Sequence, residues 1–254
     1  MKIYKFNDLH FYKPNLIKIV GPGSVVKEHL AKRLIISMHD KYKNIYYPNE
    51  YSNKNFGLTI FTYEAQLFYP KNIKNMTINY YTTQDKIRDF YLTRKFNMEE
   101  NKELPIEIVL FDMKLLSHNP KSKTFKYTDK LLLNYKKLNL IIIYHDYYAS
   151  DIDSKYSIDY TLCLQDCLDG NTRHIYKKYF DKSFIDYETF KKTYREITKC
   201  NMNKMDGVMV LKKNVKNKFY KLDKLYCSES VRLREKHADP NYDPISDDSN
   251  IRLM

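Results

Sequence analysis

The stretch that decides the fold is Leu16-Ile17-Lys18-Ile19-Val20-Gly21-Pro22-Gly23-Ser24-Val25-Val26-Lys27-Glu28. Its first five residues are apolar and mostly β-branched around one lysine, which predicts a strand over Leu16–Val20. Two of the five glycines in the chain, Gly21 and Gly23, then fall in one short turn. The apolar spacing that follows predicts a helix over Val25–Met38. A strand, a glycine turn and a helix form the local arrangement in which backbone N–H groups and a helix N-terminus cradle a phosphate.

The same alternation continues outward. Strands are predicted over Leu58–Thr62, Thr77–Tyr81, Ile106–Phe111, Leu138–Tyr144, Ile158–Leu164, Gly207–Leu211 and Lys218–Leu222. Helices are predicted over Gln84–Phe96, Tyr127–Lys137, Thr172–Phe180 and Tyr187–Cys200. Strands alternating with helices predict an α/β fold, an αβα sandwich with a mostly parallel central sheet. Ile108–Phe111 and Leu140–Tyr144 are apolar at successive positions, as central strands buried on both sides must be. The last two strands follow one another closely and predict an antiparallel hairpin at one edge.

The chain has 254 residues, 43% of them hydrophobic and 30% charged, which suits a folded domain rather than a disordered chain. One domain is expected over 1–235. Residues 236–254 are acidic, hold two prolines and lack periodicity, so a disordered tail is expected there. The longest apolar run, Leu140–Tyr144, falls far short of the roughly 20 residues a membrane-spanning helix needs. The first residues carry no apolar signal-peptide core, so an intracellular, non-secreted protein is expected. The spacing Cys163-x3-Cys167 has no matching second pair, and nothing points to a zinc site or a disulfide framework.

Lysine and arginine total 44 against 31 acids, so the net charge is 44 − 31 = +13. That excess suits a nucleic-acid partner. The paired lysines Lys136-Lys137, Lys177-Lys178, Lys191-Lys192 and Lys212-Lys213 stand among many tyrosines and suit a DNA-facing surface. Abundant Tyr, Lys, Asn and Ile, all with A/T-rich codons, offer a competing account of the basicity.

The phosphate-loop pattern G-x-x-x-x-G-K-[ST] aligns with Gly21 to Glu28. The first glycine and Lys27 keep their spacing. Val26 replaces the second glycine and brings β-branched bulk where the backbone must approach phosphate. Glu28 replaces the hydroxyl that would ligate magnesium. On this fragment alone, a plain strand–helix turn with a lysine in its first helical turn is the simpler reading.

Farther along, Ile106-Glu-Ile-Val-Leu-Phe-Asp112 is an apolar strand ending in a carboxylate, the place where phosphoryl-transfer enzymes hold magnesium. The next residue is Met113, where an acid that positions the attacking water often stands. The following strand ends in His145-Asp146-Tyr147. His145 beside Asp146 could serve acid–base chemistry, but such a pair is more often just a polar strand terminus.

In this order the motifs resemble the DNA-packaging ATPases of nucleocytoplasmic large DNA viruses, the poxvirus type within the FtsK–HerA class of P-loop motors. The resemblance runs from about Phe6 to Cys227. Asn134-Tyr135-Lys136-Lys137 stands at the family's Asn-x-Arg-His, Asp146-Tyr147 at Gln-Tyr, and Lys155-Tyr156-Ser157-Ile158-Asp159-Tyr160 at Arg-x-Asn-x-Asp-Tyr. His174–Phe180, Phe184 and Tyr187–Phe190 resemble the aromatic helical stretch. Gly207–Leu211 and Lys218–Lys221 resemble the terminal strands.

The resemblance implies a P-loop NTPase-like fold and ATP with Mg2+ as cofactors. It implies a cradle of Gly21, Gly23, Ser24, Lys27 and Glu28, with Lys27 on the β/γ-phosphates. Asp112 would be the magnesium ligand, with Asp146 and Lys155 as further catalytic positions, Lys155 standing in for an arginine finger. It implies duplex DNA as partner, capsid or portal proteins, a homo-oligomeric ring, and a virion or host-cytoplasm location. The chemical positions depart from the family more than the scaffold does, so a degenerate site with weak or no hydrolysis is expected. The alternative is a non-catalytic virion component that keeps the fold for structure or binding. A nucleotide kinase would need an arginine-rich lid, and the sequence contains none.

Overall fold

The computed structural model describes residues 3–5, 13–21, 27–28, 30–32, 34–36, 38, 56–61, 76–81, 85–102, 104–112, 123–146, 156–166, 168–181, 184–198, 208–212 and 219–222. The strands are β1 (Ile3–Lys5), β2 (Leu16–Val20), β3 (Phe56–Phe61), β4 (Met76–Tyr81), β5 (Glu107–Asp112), β6 (Leu140–Asp146), β7 (Tyr160–Leu164), β8 (Val208–Lys212) and β9 (Phe219–Leu222). They make one sheet in the order β1-β9-β8-β7-β2-β6-β5-β3-β4. Every pairing is parallel except β7 with β8 and β8 with β9, so β8 alone runs against the rest. The described residues within 27–38 are helical and form α1. The other helices are α2 (Asp85–Glu99), α3 (Lys123–Asn134), α4 (Asp169–Ile175), continued by a π-helical turn over Tyr176–Phe180, and α5 (Tyr187–Thr198).

Strand alternation sorts the core into two faces. On one, Ile17, Ile19, Ile108, Leu110, Ile141 and Ile143 pack under Leu30, Ala31, Leu34, Ile35 and Met38 of α1. That helical stripe recurs every three to four residues, as one buried helix face requires. On the other face, Leu16, Val109, Phe111, Leu140 and Ile142 meet Ile87 and Tyr91 of α2 and Leu131 and Leu132 of α3. Val20, Cys163 and Met209 meet Phe180, Phe190, Tyr194 and Ile197 from the π-helical turn and α5. The aromatic stretch therefore packs as core, with Phe180 and Phe190 stacked at 5.1 Å. Asp186 caps α5 by accepting the Thr189 N–H at 2.7 Å.

The N-terminal ends of the strands are tied by polar contacts. Asp159 accepts the Leu16 N–H at 3.0 Å and the Tyr135 hydroxyl at 2.5 Å. The Arg94 guanidinium, from α2, is buried. It donates to Glu107 Oε2 at 3.2 Å, Pro105 O at 2.9 Å and Leu138 O at 2.7 Å. Thr59 Oγ1 donates to the other Glu107 oxygen at 2.5 Å. Burial pushes the Glu107 carboxyl up, while Thr59 and Arg94 pull it down. Removing one partner of such a pair leaves the other charged and desolvated, so Arg94→Ala is expected to cost about 3–5 kcal/mol. Chemical denaturation checks this, with the exposed neighbour Lys95→Ala expected to change stability by less than about 0.5 kcal/mol.

The architecture agrees with the α/β expectation, and β2 falls on the residues predicted for it. Several details differ, among them the predicted helix Thr172–Phe180, which is an α-helix over Asp169–Ile175 followed by a π-helical turn. The β8–β9 hairpin is antiparallel as expected, but β1 adds in parallel beyond β9, so β9 is not an edge. β1 has three residues and one lysine, too short for a periodic signal. The third helix ends at Asn134 rather than Lys137, because Asn139 takes a left-handed φ of 53° and the chain turns into β6. Residues 236–254 lie outside the described residues.

Candidate phosphate-binding site

The carboxyl ends of β7, β2, β6 and β5 lie side by side, and open parallel sheets take their ligands outside such ends. β2 ends at Val20, opposite Asp146 of β6. Asp112, ending β5, is opposite His145 of β6. β6 thus stands between the strand that feeds the glycine turn and the strand that ends in Asp112. The sequence suggests Asp112 at the end of a strand beside Leu16–Val20, with Asp112 and Lys27 facing one crevice; the sheet instead places β6 between the two strands. Chain order does not set sheet order, and the long apolar Leu140–Tyr144 run takes the central place.

Gly21 begins the turn with φ +154°, and a Cβ there would stand 2.6 Å from the Leu164 Cβ of β7. Only glycine lets the turn lie this close to β7. Lys27 opens α1 and is buried, and its Nζ donates to the Gly21 carbonyl at 3.1 Å. The ammonium is thereby held on the first residue of the turn. Glu28 follows in the same helical turn and is half-buried.

His145 shares the α1 side of β6 with Ile141 and Ile143, by alternation. It is buried, and its Nε2 has no hydrogen-bond partner. Burial, with the Lys27 charge second, lowers its pKa to about 3, so the imidazole is neutral near pH 7. On the opposite face, Lys18 is fully buried with its Nζ 5.7 Å from the ring centroids of both Tyr144 and Tyr179. Cys163 is buried and free, its thiol pushed up to about 12 by burial, which suits packing and not a nucleophile.

Of the residues singled out in the sequence, Gly21, Lys27 and Glu28 meet at the start of α1. Asp112 and Asp146 are described in backbone only; both end strands at the same edge of the sheet. Gly23, Ser24, Val26, Met113 and Lys155 lie outside the described residues. Tyr156, next to Lys155, donates to Asp129 of α3 before β7 begins, at the opposite end of the sheet from Gly21. His145 was visible in the sequence as a polar strand end; its burial and its unpaired nitrogen were not.

The paired lysines on the π-helical turn and α5 do not make a one-sign surface. Lys177, Lys178, Lys191 and Lys192 alternate with Asp169, Asp181, Asp186 and Glu188. Asp169 itself pairs with Lys191 at 2.5 Å and Arg173 at 3.9 Å. Lys136 and Lys137 are exposed, with Lys136 4.0 Å from Asp159. The Lys212–Lys213 side chains lie outside the description.

No protein-family model matches the chain, and no curated protein matches it by sequence. Solved structures do match the fold. The genome-packaging NTPase B204 from Sulfolobus turreted icosahedral virus 2, in complex with ATP-gammaS, is similar at TM-score 0.52 and 14% identity over 85% of this chain and 100% of that one. The same NTPase in complex with AMPPCP is similar at TM-score 0.51 and 14% identity, over 82% and 98%. In complex with sulfate it is similar at TM-score 0.52 and 13% identity, over 82% and 96%. At such identities the likeness establishes the P-loop NTPase-like fold of this chain. Among the described residues no helix is long and apolar enough to cross a membrane.

Proposed function

We propose that the chain is a genome-packaging-ATPase-like protein that acts on duplex DNA during virion assembly and holds a nucleoside triphosphate at the carboxyl ends of β2 and β6. The observation that carries this is Lys27 buried at the start of α1 with its Nζ on the Gly21 carbonyl. A glycine turn that tolerates no Cβ, a fixed ammonium and an unpaired imidazole nitrogen all fit a phosphate chain. The neighbour whose fold this chain shares is itself a genome-packaging NTPase bound to ATP analogues.

In this role Gly21, Gly23 and Ser24 line the cradle and Lys27 holds the phosphates. Asp112 is the residue that would hold magnesium, which neutralises charge on the phosphates. Lys155, at the position of the arginine in the resembled ATPases, would act on a neighbouring subunit's nucleotide, as a ring requires. Capsid or portal proteins are the expected partners of that ring, in a virion or at a cytoplasmic assembly site. Val26, Glu28 and Met113 favour a second reading, in which the fold is kept for binding and no longer hydrolyses.

Filter binding to duplex DNA tests the DNA half of the proposal. Affinity is expected at low salt, independent of sequence, with log K falling by about 0.9 per phosphate contacted for each unit of log salt. Absence of binding at low salt contradicts it and leaves genomic base bias as the source of the +13 charge.

A further inference from the structure

We infer that the outer face of α2 and α3 docks on an anionic lipid surface. Leu92, Phe96 and Leu133 enter the acyl boundary, and Lys102, Lys126 and Lys130 meet the headgroup phosphates. This is independent of the nucleotide reading.

α2 and α3 cover the same face of the sheet. Ile87 and Tyr91 of one and Leu131 and Leu132 of the other bury in a single core. Their opposite sides therefore point the same way, away from the sheet. The helices meet through Tyr91 and Tyr127, whose ring centroids are 5.9 Å apart. On that outer side Leu92 is 45% exposed, Phe96 55% and Leu133 52%. These are three of the five large hydrophobic residues exposed among the described residues. Leu92 and Phe96 stand one turn apart on α2, so they are neighbours on its surface. Phe96 and Leu133 both stand in the last turns of helices that lead into adjacent parallel strands, at one end of the sheet. Exposed apolar groups gathered on one face, rather than scattered singly, mark an interaction surface.

Charge decides the sign of the partner. Residues 126–137 hold four lysines against one acid, Asp129. That acid accepts the Tyr156 hydroxyl. On α2 the charges balance: Asp89 pairs with Arg88 and Glu99 with Lys95, each at 3.2 Å. Just beyond α2, Lys102 places its Nζ 5.2 Å from the Phe96 ring centroid, so a cation stands against the apolar group itself. The face is net positive, and its complement is anionic.

Shape decides the kind of anion. Lys130 lies across the seam between the helices, its Nζ 5.5 Å from the Tyr91 ring centroid and 5.2 Å from that of Tyr127. It occupies the groove into which a partner helix would lay its apolar face. The apolar side chains stand instead on the outer sides of both helices, where a flat partner meets them together. Duplex DNA offers phosphates to the lysines and no apolar phase to Leu92, Phe96 and Leu133. A bilayer surface offers both. Lysine stems can follow apolar groups into the boundary while their ammonium groups stay among the headgroups.

The test is co-sedimentation of the full chain with vesicles of phosphatidylcholine alone and of phosphatidylcholine mixed with phosphatidylserine. Wild type is expected to sediment with the mixed vesicles at low salt and not with phosphatidylcholine alone. Phe96→Ser combined with Leu133→Ser is expected to weaken partitioning at least about tenfold, for the loss of two apolar side chains. Lys126→Gln is expected to weaken it about fivefold. All three positions are exposed, so the variants keep the fold, which circular dichroism checks; Lys126→Gln alone carries the test should the double variant not fold. Duplex DNA affinity is expected to be unchanged in the double variant. Absence of sedimentation with the mixed vesicles overturns the inference. So does vesicle binding that falls in Lys126→Gln but not in the double variant, which would be general electrostatic attraction. A double variant that loses duplex affinity would make the face a DNA surface, and one that abolishes self-association in sedimentation velocity would make it a contact between copies; either result overturns the inference.

Discussion

Purified protein supplied with ATP and magnesium is expected to release phosphate very slowly or not at all, with or without duplex DNA. Met113 follows Asp112 and can neither orient water nor take its proton. Positioned general-base catalysis contributes about 10²–10⁴ in rate. Lys155, at the family's arginine position, lacks the planar two-pronged donor set of an arginine finger, itself worth about 10³–10⁵. Glu28, in the first turn of α1, would repel a magnesium–triphosphate complex held there, and valine at position 26 would add β-branched bulk where the phosphate-loop pattern has glycine. Losing base and finger together removes most of the acceleration even with nucleotide held. A steady-state phosphate-release assay beside Lys27→Met checks this. Robust turnover that Lys27→Met abolishes would mean another acid, Asp146 or Glu28, has taken over the chemistry.

Stability is expected to fall steeply between about pH 6.5 and pH 3 through His145. Its pKa is lowered from 6.5 to about 3, by burial first and the Lys27 charge second. The unfolded chain therefore binds a proton in this window before the folded chain does. A depressed folded value means the stabilisation is complete above the unfolded pKa and is lost as pH falls toward the folded one. The full span amounts to roughly 5 kcal/mol. His145→Gln cannot take up that proton, so its acid limb should be shallower than wild type by as much as one proton. Denaturant midpoints measured in steps from pH 7 to pH 4 give both slopes, and parallel slopes would rule His145 out as the source.

Much of the scaffold was legible because burial writes itself into local pattern. Leu16–Val20 matches β2 at both ends, since Pro14 and Gly21 punctuate an apolar run. β6 reads as a central strand because Leu140–Tyr144 leaves no position for a solvated face. Sheet order was not legible: nothing local in β5 or β6 says that β6 will lie between β5 and β2. Nor was the Arg94–Glu107–Thr59 clamp, because two charged residues and a threonine look like surface until three separate elements bury them together. At the site, spacing singled out Gly21 and Lys27. The deciding feature of His145 is an unpaired nitrogen in a dry place, and that is a property of packing with no counterpart in the residue's neighbours along the chain.

The measurement that bears most directly on the central claim is equilibrium titration of ATP-gammaS into the wild-type chain and into Lys27→Met, which keeps the length of the buried stem and removes the ammonium. Saturable wild-type binding is predicted, with affinity at least about tenfold weaker in Lys27→Met, as expected on losing a charged phosphate contact. Equal affinity in the two proteins, or no binding by a folded wild-type chain, would contradict a phosphate site built on Gly21 and Lys27.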